Sequence, residues 1–152
     1  MYKLLAIRQK TGQDAAIETM KGTKKMIEQV ETRKAPSPIG PYSQGIRTDS
    51  GFLFLSGQIP IDPESGAMLN EGIEVQTRRV LDNLTAVLDE AGHSWKNVCK
   101  VTILLKDLED FGVVNSLYAE YVSNPYPARA TFQVARLPAD AKIEVDLVSY
   151  SA

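Results

Sequence analysis

Between residues 73 and 91 the apolar side chains Ile73, Val80, Leu81, Leu84, Val87, Leu88 and Ala91 recur at helical spacing, and Gly92 follows as a stop signal. An amphipathic helix of this length must lay its apolar stripe on something, and the segments around it read as strands. Residues 43–47 and 52–58 flank Thr48-Asp49-Ser50-Gly51, whose Asp, Ser and Gly are turn formers, so a hairpin is expected there. A short strand from Ile27 precedes it, separated by a proline-rich loop over residues 35–41 that reads as stiff and exposed. Downstream, residues 98–106 read as a strand with Cys99, Val101, Ile103 and Leu105 on one face. Asp107 then stands as an N-cap, with Asp110 three residues later, and Leu108, Phe111, Val114, Leu117, Tyr118 and Tyr121 form the apolar face of a second helix. Pro125 closes that helix, and strands over 129–134 and 142–149 finish the chain. The order β-β-β-α-β-α-β-β predicts an α+β fold, one mixed sheet with both helices on one face. The other face is left naked, and an apolar naked face finds cover in a copy of itself, so an oligomer is expected.

With 152 residues, 43% hydrophobic and 24% charged, the chain can bury one sizeable core and is too short for two ordinary domains. Its formal net charge of -2 argues against a nucleic-acid scaffold, which normally carries a basic excess. That balance hides an asymmetry: residues 1–34 hold eight Lys or Arg against four acids, and the rest nine against fifteen. Residues 1–25 lack a clear period and end in Lys21-Gly22-Thr23-Lys24-Lys25, which reads as an extension preceding a domain over 26–152; Met20 and Met26 are alternative starts. The first thirteen residues are basic and free of acids, as in a transit peptide, but poor in Ser and Arg. The apolar run Leu4-Leu5-Ala6-Ile7 is far shorter than a signal-peptide core or a membrane span. A single cysteine cannot make an intrachain disulfide, which fits a reducing compartment and a cytoplasmic location.

Absences narrow the chemistry. His93 is the only histidine and Cys99 the only cysteine, so no His/Cys zinc site and no histidine-based triad can be assembled within one chain. His93, just past a helix end, reads as a solvated terminus residue, and Cys99, alternating with Val101 and Ile103, as a buried small side chain. Gly40 and Gly45 lie among prolines and polar residues and form no phosphate cradle. What remains is Pro125-Tyr126-Pro127-Ala128-Arg129-Ala130-Thr131, where a rigid proline turn fixes a guanidinium at the start of a strand, a fork that suits a carboxylate. Fifteen residues on, Glu144 falls on the polar side of the alternating strand Lys142-Ile143-Glu144-Val145-Asp146, placed to act as a base beside an arginine that holds it ionised. The bland reading of each is a surface strand residue. Gly57, at a strand end, and Tyr42, after Gly40-Pro41, supply elements that can converge with the pair.

Residues 35–150 resemble the RidA (YjgF) family of enamine/imine deaminases through Gly40-Pro41-Tyr42-Ser43-Gln44-Gly45, Ser56-Gly57-Gln58-Ile59-Pro60, Val114-Asn115, Pro127-Ala128-Arg129 and Ala135-Arg136-Leu137-Pro138 leading into Lys142-Ile143-Glu144. The resemblance implies a chorismate-mutase-like fold and a homotrimer with three active sites between subunits. It also implies hydrolysis of 2-imino acids, 2-iminopropanoate and 2-iminobutanoate formed from 2-aminoacrylate and 2-aminocrotonate, to 2-keto acids and ammonia, with no cofactor or metal. Carried onto this chain it makes Arg129 the carboxylate-binding arginine, Glu144 the water-positioning acid, Tyr42 a pocket wall and Gly57 a backbone contact, with Asn115 near the site and expected, like Thr131, among the substrate-binding residues. Thr131 stands where many members carry a cysteine. Two rivals remain: an RNA-binding translation inhibitor or endoribonuclease using the basic arm, and a ligand-binding trimer without turnover.

Overall fold

The computed structural model describes residues 26–152, so the expected extension over residues 1–25 and its transit-peptide reading lie outside the described residues. Eight elements follow in the expected order: β1 (Ile27–Val30), β2 (Gly45–Thr48), β3 (Phe52–Gln58), α1 (Ile73–Glu90), β4 (Val98–Leu105), α2 (Phe111–Ala119), β5 (Ala128–Gln133) and β6 (Ile143–Tyr150). The strands form one sheet in the order β1-β2-β3-β6-β4-β5. Every neighbouring pair is antiparallel except β4 and β5, which run parallel because α2 carries the chain back between them. Strand β5 is therefore an edge strand.

One apolar cluster joins Val80, Leu84 and Leu88 of α1 and Val114 of α2 to Leu53, Val101 and Val145 of the sheet. Each such side chain removed from water contributes roughly 1.5–3 kcal/mol, so the amphipathic stripes are enough to fix both helices on this face. Among the described residues nothing covers the opposite face in this way, and Phe52, Phe54, Phe132 and Tyr150 remain substantially exposed. The Phe52 ring meets that of Tyr150 at a tilt of 50°, with centroids 5.0 Å apart, and lies 6.2 Å from Phe54, a contiguous aromatic patch across β3 and β6.

Three sequence expectations are corrected here. His93 is buried, not solvated, and its Nδ1 lies 2.8 Å from Ser149 Oγ. The cause is the helix stop itself. Gly92 takes φ +74, its N–H donates to the Asp89 carbonyl, and the His93 N–H donates to the Leu88 carbonyl, the paired bonds of a Schellman motif that turn the chain back onto the sheet. Cys99 is exposed, because the β4–β6 register slips between Val98 and Lys100. That irregularity rotates Cys99 out of the alternation and leaves Val98 and Val101 facing the core. Asp107 caps a 3-10 turn over Leu108–Asp110, accepting from the Glu109 N–H at 3.0 Å, and α2 begins only at Phe111. The proline loop is exposed as expected at Ser37, Ile39, Gly40 and Pro41, and only its first residue, Ala35, is buried.

Burial, and secondarily the charge of Arg47, pushes the His93 imidazole below its ordinary range. The unfolded chain therefore takes up its proton first, and stability is expected to fall as pH drops below about 6.5, the unperturbed histidine value. Urea unfolding at pH 8 and pH 5 checks this. Ser149→Ala is expected to cost about 1 kcal/mol at the upper pH, where the pair is intact.

Candidate active site

The sheet sorts the expected residues into two groups. Tyr42, Gly57 and Glu144 line a cleft of about 310 Å³ whose apolar walls include Ile39, Ile59, Ile61 and Pro138. Arg129 and Asn115 line a second cleft of about 460 Å³ with Tyr118, Val122, Tyr126 and Pro127. Thr131 sits two residues beyond Arg129 on β5, aligned with Ile103, and its buried hydroxyl has no hydrogen-bond partner.

Register explains the separation. Arg129 is aligned with Val101, a core-facing residue of β4, whereas Glu144 is aligned with Leu104, which faces the other way. The two stand on strands either side of β4 and three residues apart along it. With a rise of about 3.3 Å per residue and strands about 4.8 Å apart, their backbones lie about 14 Å from each other. One chain does not bring Arg129 and Glu144 to the same small substrate. The expected support of the Glu144 charge by Arg129 is accordingly not found within the chain.

The Glu144 cleft is built by a bulge. Between Leu55 and Gln58 strand β3 advances three residues while its partner β6 advances two, from Leu147 to Val145. The extra residue brings the Gly57 backbone against the Glu144 side chain, so closely that a Cβ at position 57 would meet Glu144 Cδ at 3.0 Å and Cγ at 3.2 Å. Glu144 is partly buried, and desolvation, followed by the charge of Asp146 two residues away, raises its carboxyl above the usual carboxylate range. Gly57→Ala is expected to leave the fold intact, since the obstructing atoms end a flexible side chain, but to displace the carboxylate. The nearest obstructing atom is the carboxylate Oε1, which must move by about 1 Å to clear the methyl, a misplacement expected to cost about a hundred-fold in any turnover that uses Glu144. Steady-state kinetics with circular dichroism as a fold control checks it.

Buried amides that the sequence reading left without a role hold the cleft walls. Gln44 accepts from the Thr32 N–H at 2.7 Å and donates to the Thr32, Ala35 and Pro36 carbonyls, anchoring the proline loop that carries Ile39 and Tyr42. Asn83 donates to the Ile61 carbonyl at 3.0 Å. Gln76 donates to the Leu69 carbonyl and accepts from the Lys142 N–H at 2.8 Å, tying the loop after β3 to the start of β6. The signal in the sequence was a polar residue at an otherwise core-facing helical position: Gln76 and Asn83 both fall among buried residues of α1.

In the second cleft the Arg129 Nη1 donates to Asn115 Oδ1 at 2.8 Å, and the guanidinium carbon lies 5.1 Å from the Tyr118 ring centre and 5.6 Å from that of Phe111. Arg129 is exposed, as its bland reading as a surface strand residue expects, but an amide and two rings hold its guanidinium. Among the described residues no group of three or more His, Cys, Asp or Glu is placed to hold a metal ion. Among the same residues no helix is long and apolar enough to cross a membrane.

These features define a small α+β protein with a carboxylate in one cleft and an arginine guanidinium in another. Residues 32–151 match the sequence model of the family described as Endoribonuclease L-PSP. A RutC family protein of Pyrococcus abyssi is 50% identical over 81% of this chain and 96% of its own. The human 2-iminobutanoate/2-iminopropanoate deaminase is 42% identical over 79% of this chain and 87% of its own. The crystal structure of Escherichia coli TdcF with bound serine superposes with a TM-score of 0.77 at 35% identity, covering 82% of this chain and 99% of that one. The chain belongs to the Endoribonuclease L-PSP family, which is the RidA (YjgF) family of the sequence resemblance.

Proposed function

We propose that this protein hydrolyses reactive 2-imino acids, 2-iminopropanoate and 2-iminobutanoate among them, to 2-keto acids and ammonia. The observation that carries the reading is the division of the site: a carboxylate-binding fork and a base lie on opposite faces of a sheet whose naked face is apolar. Covering that face with a second and third copy joins the Arg129 cleft of one subunit to the Glu144 cleft of the next. A homotrimer with three intersubunit sites and no cofactor is the assembly proposed. Likeness to the human deaminase and to a relative solved with a bound amino acid supports both the substrate class and the carboxylate fork.

In this site Arg129 takes the substrate carboxylate through two parallel charge-assisted hydrogen bonds. Glu144 removes a proton from a water molecule as its oxygen bonds to the C=N carbon, and a backbone carbonyl near Ala130 or Thr131 helps hold that water. The C=N pair becomes a lone pair on nitrogen, which is protonated, and the carbinolamine collapses with loss of ammonia and release of the 2-keto acid. A protonated imine is already electrophilic, so positioning and modest base catalysis suffice. A carboxyl raised by burial is a stronger base than an ordinary one, which suits this role.

Residues 26–152 form the proposed functional domain, with residues 1–25 an extension dispensable for turnover, and a single cysteine fits the proposed cytoplasmic location. The test is a coupled assay in which a threonine dehydratase generates the imine. Accelerated 2-keto acid release supports the reading; no acceleration by a protein that is trimeric by light scattering overturns it. The family's description as an endoribonuclease keeps RNA cleavage as the rival. Single-stranded RNA degraded by the same preparation, with imine turnover absent, would select it.

A further inference from the structure

Phe111, Asn115 and Tyr118 recur at i, i+4 and i+7, one face of α2, and all three meet the Arg129 side chain. Their spacing reads as ordinary helix packing, yet only part of it is packing. Tyr118 is buried, but Phe111 is 37% exposed and contributes little to the core. What the three share is the guanidinium. Resting on the deaminase reading above, we propose that this helix face is a mount that fixes the plane and direction of Arg129, making Phe111, Asn115 and Tyr118 positioning residues for substrate binding.

An arginine on an edge strand has four rotatable bonds and a large rotamer entropy to lose on binding. Asn115 takes one Nη1 proton, and the Tyr118 and Phe111 rings lie within the range of cation–π attraction. The donors on Nε and Nη2 remain, a side-on fork of the kind that receives a carboxylate in two parallel bonds. The mount thus removes disorder before substrate arrives and leaves one edge free to bind it. It also changes the role expected for Asn115, which acts through Arg129 and not on the substrate. Tyr118 in turn meets Trp95 edge-on, with centroids 6.2 Å apart. Trp95 is the only tryptophan, so its fluorescence reports on this corner of the molecule.

The experiment is a double-mutant cycle on the full chain. Asn115→Ala is expected to lower kcat/KM on the generated imine about ten-fold, through KM, and Phe111→Leu about three-fold, the usual values of a charged hydrogen bond and an exposed cation–π contact. In an Arg129→Ala background the same substitutions should change it by less than about two-fold, because the group they hold is gone. Equal factors in both backgrounds would mean that these residues only support the fold, and would overturn the mount. Affinity for 2-oxobutanoate, read by Trp95 fluorescence, separates this inference from the deaminase reading. If no imine is turned over but Asn115→Ala weakens 2-oxobutanoate binding about ten-fold only when Arg129 is present, the mount stands and the deaminase reading fails. If the keto acid binds Asn115→Ala as it binds the parent, the mount fails whatever the turnover.

Discussion

Arg129→Lys is expected to reduce kcat/KM for imine hydrolysis about ten- to a hundred-fold while leaving the fold and the assembly unchanged. Lysine keeps the positive charge but replaces a planar fork with a single ammonium, so one of the two parallel bonds to the substrate carboxylate is lost. A charge-assisted hydrogen bond of this kind is worth about 1.5–3 kcal/mol, which corresponds to that range of rate. The surroundings sharpen the effect. The Tyr118 and Phe111 rings and the Asn115 amide fit a flat delocalised cation with donors at fixed angles, and a flexible ammonium satisfies them without presenting a defined edge. Steady-state kinetics with a dehydratase-generated imine, alongside 2-oxobutanoate affinity, provides the measurement. Parental kinetics in Arg129→Lys would place the carboxylate elsewhere.

The order of the elements was legible in the sequence because each carries its own period. The stripe from Ile73 to Ala91, the alternation at Val101, Ile103 and Leu105, and the turn residues before Phe52 each specify an element without reference to the rest. Arg129 and Glu144 stood out on a similar ground, as charged residues in recognisable surroundings, and each lines a cleft. Their separation was not. Whether a strand residue faces the helices or the naked face depends on register against a neighbour distant in sequence, and a shift of one residue reverses it. Arg129 meets Val101 and Glu144 meets Leu104, and nothing local to either segment encodes that difference. His93 and Cys99 were misplaced for a related reason. A Schellman turn and a bulge each break the period that the reading relied on, and both act through backbone bonds to residues the periodicity does not mark. Tyr118 lies in the core as its spacing implied, whereas Phe111 on the same face is partly exposed, because helical spacing identifies a face but not what the edge strand lays against it. Asn115 was reached through resemblance and Tyr42 and Gly57 first as elements able to converge with the pair, and the close approach of Gly57 to Glu144 supplies the physical reason for a glycine at that position.

Glu144→Gln is expected to lower kcat by about 10²–10⁴-fold, the usual contribution of a positioned general base, with little change in 2-oxobutanoate affinity. The amide matches the carboxylate in size, so Arg129 still binds substrate and only the proton acceptor is missing. The pH dependence identifies the group. Burial and the neighbouring Asp146 charge raise the Glu144 carboxyl, so the acid limb of the parent should lie above the ordinary carboxylate range, and Asp146→Asn should move it down. In Glu144→Gln that limb should vanish. Stability runs in the opposite direction. A carboxyl with a raised folded value favours the folded state while protonated, and that advantage is lost as pH rises through the interval between its unfolded and folded values. Above it the folded protein holds a desolvated anion that glutamine removes. Glu144→Gln should therefore melt higher than the parent at neutral pH, with the difference closing in acid, the pattern of a group kept for function at some cost in stability. Equal turnover in the two proteins, or an acid limb that persists in Glu144→Gln, would show that another group takes the proton and that Glu144 is only a strand residue.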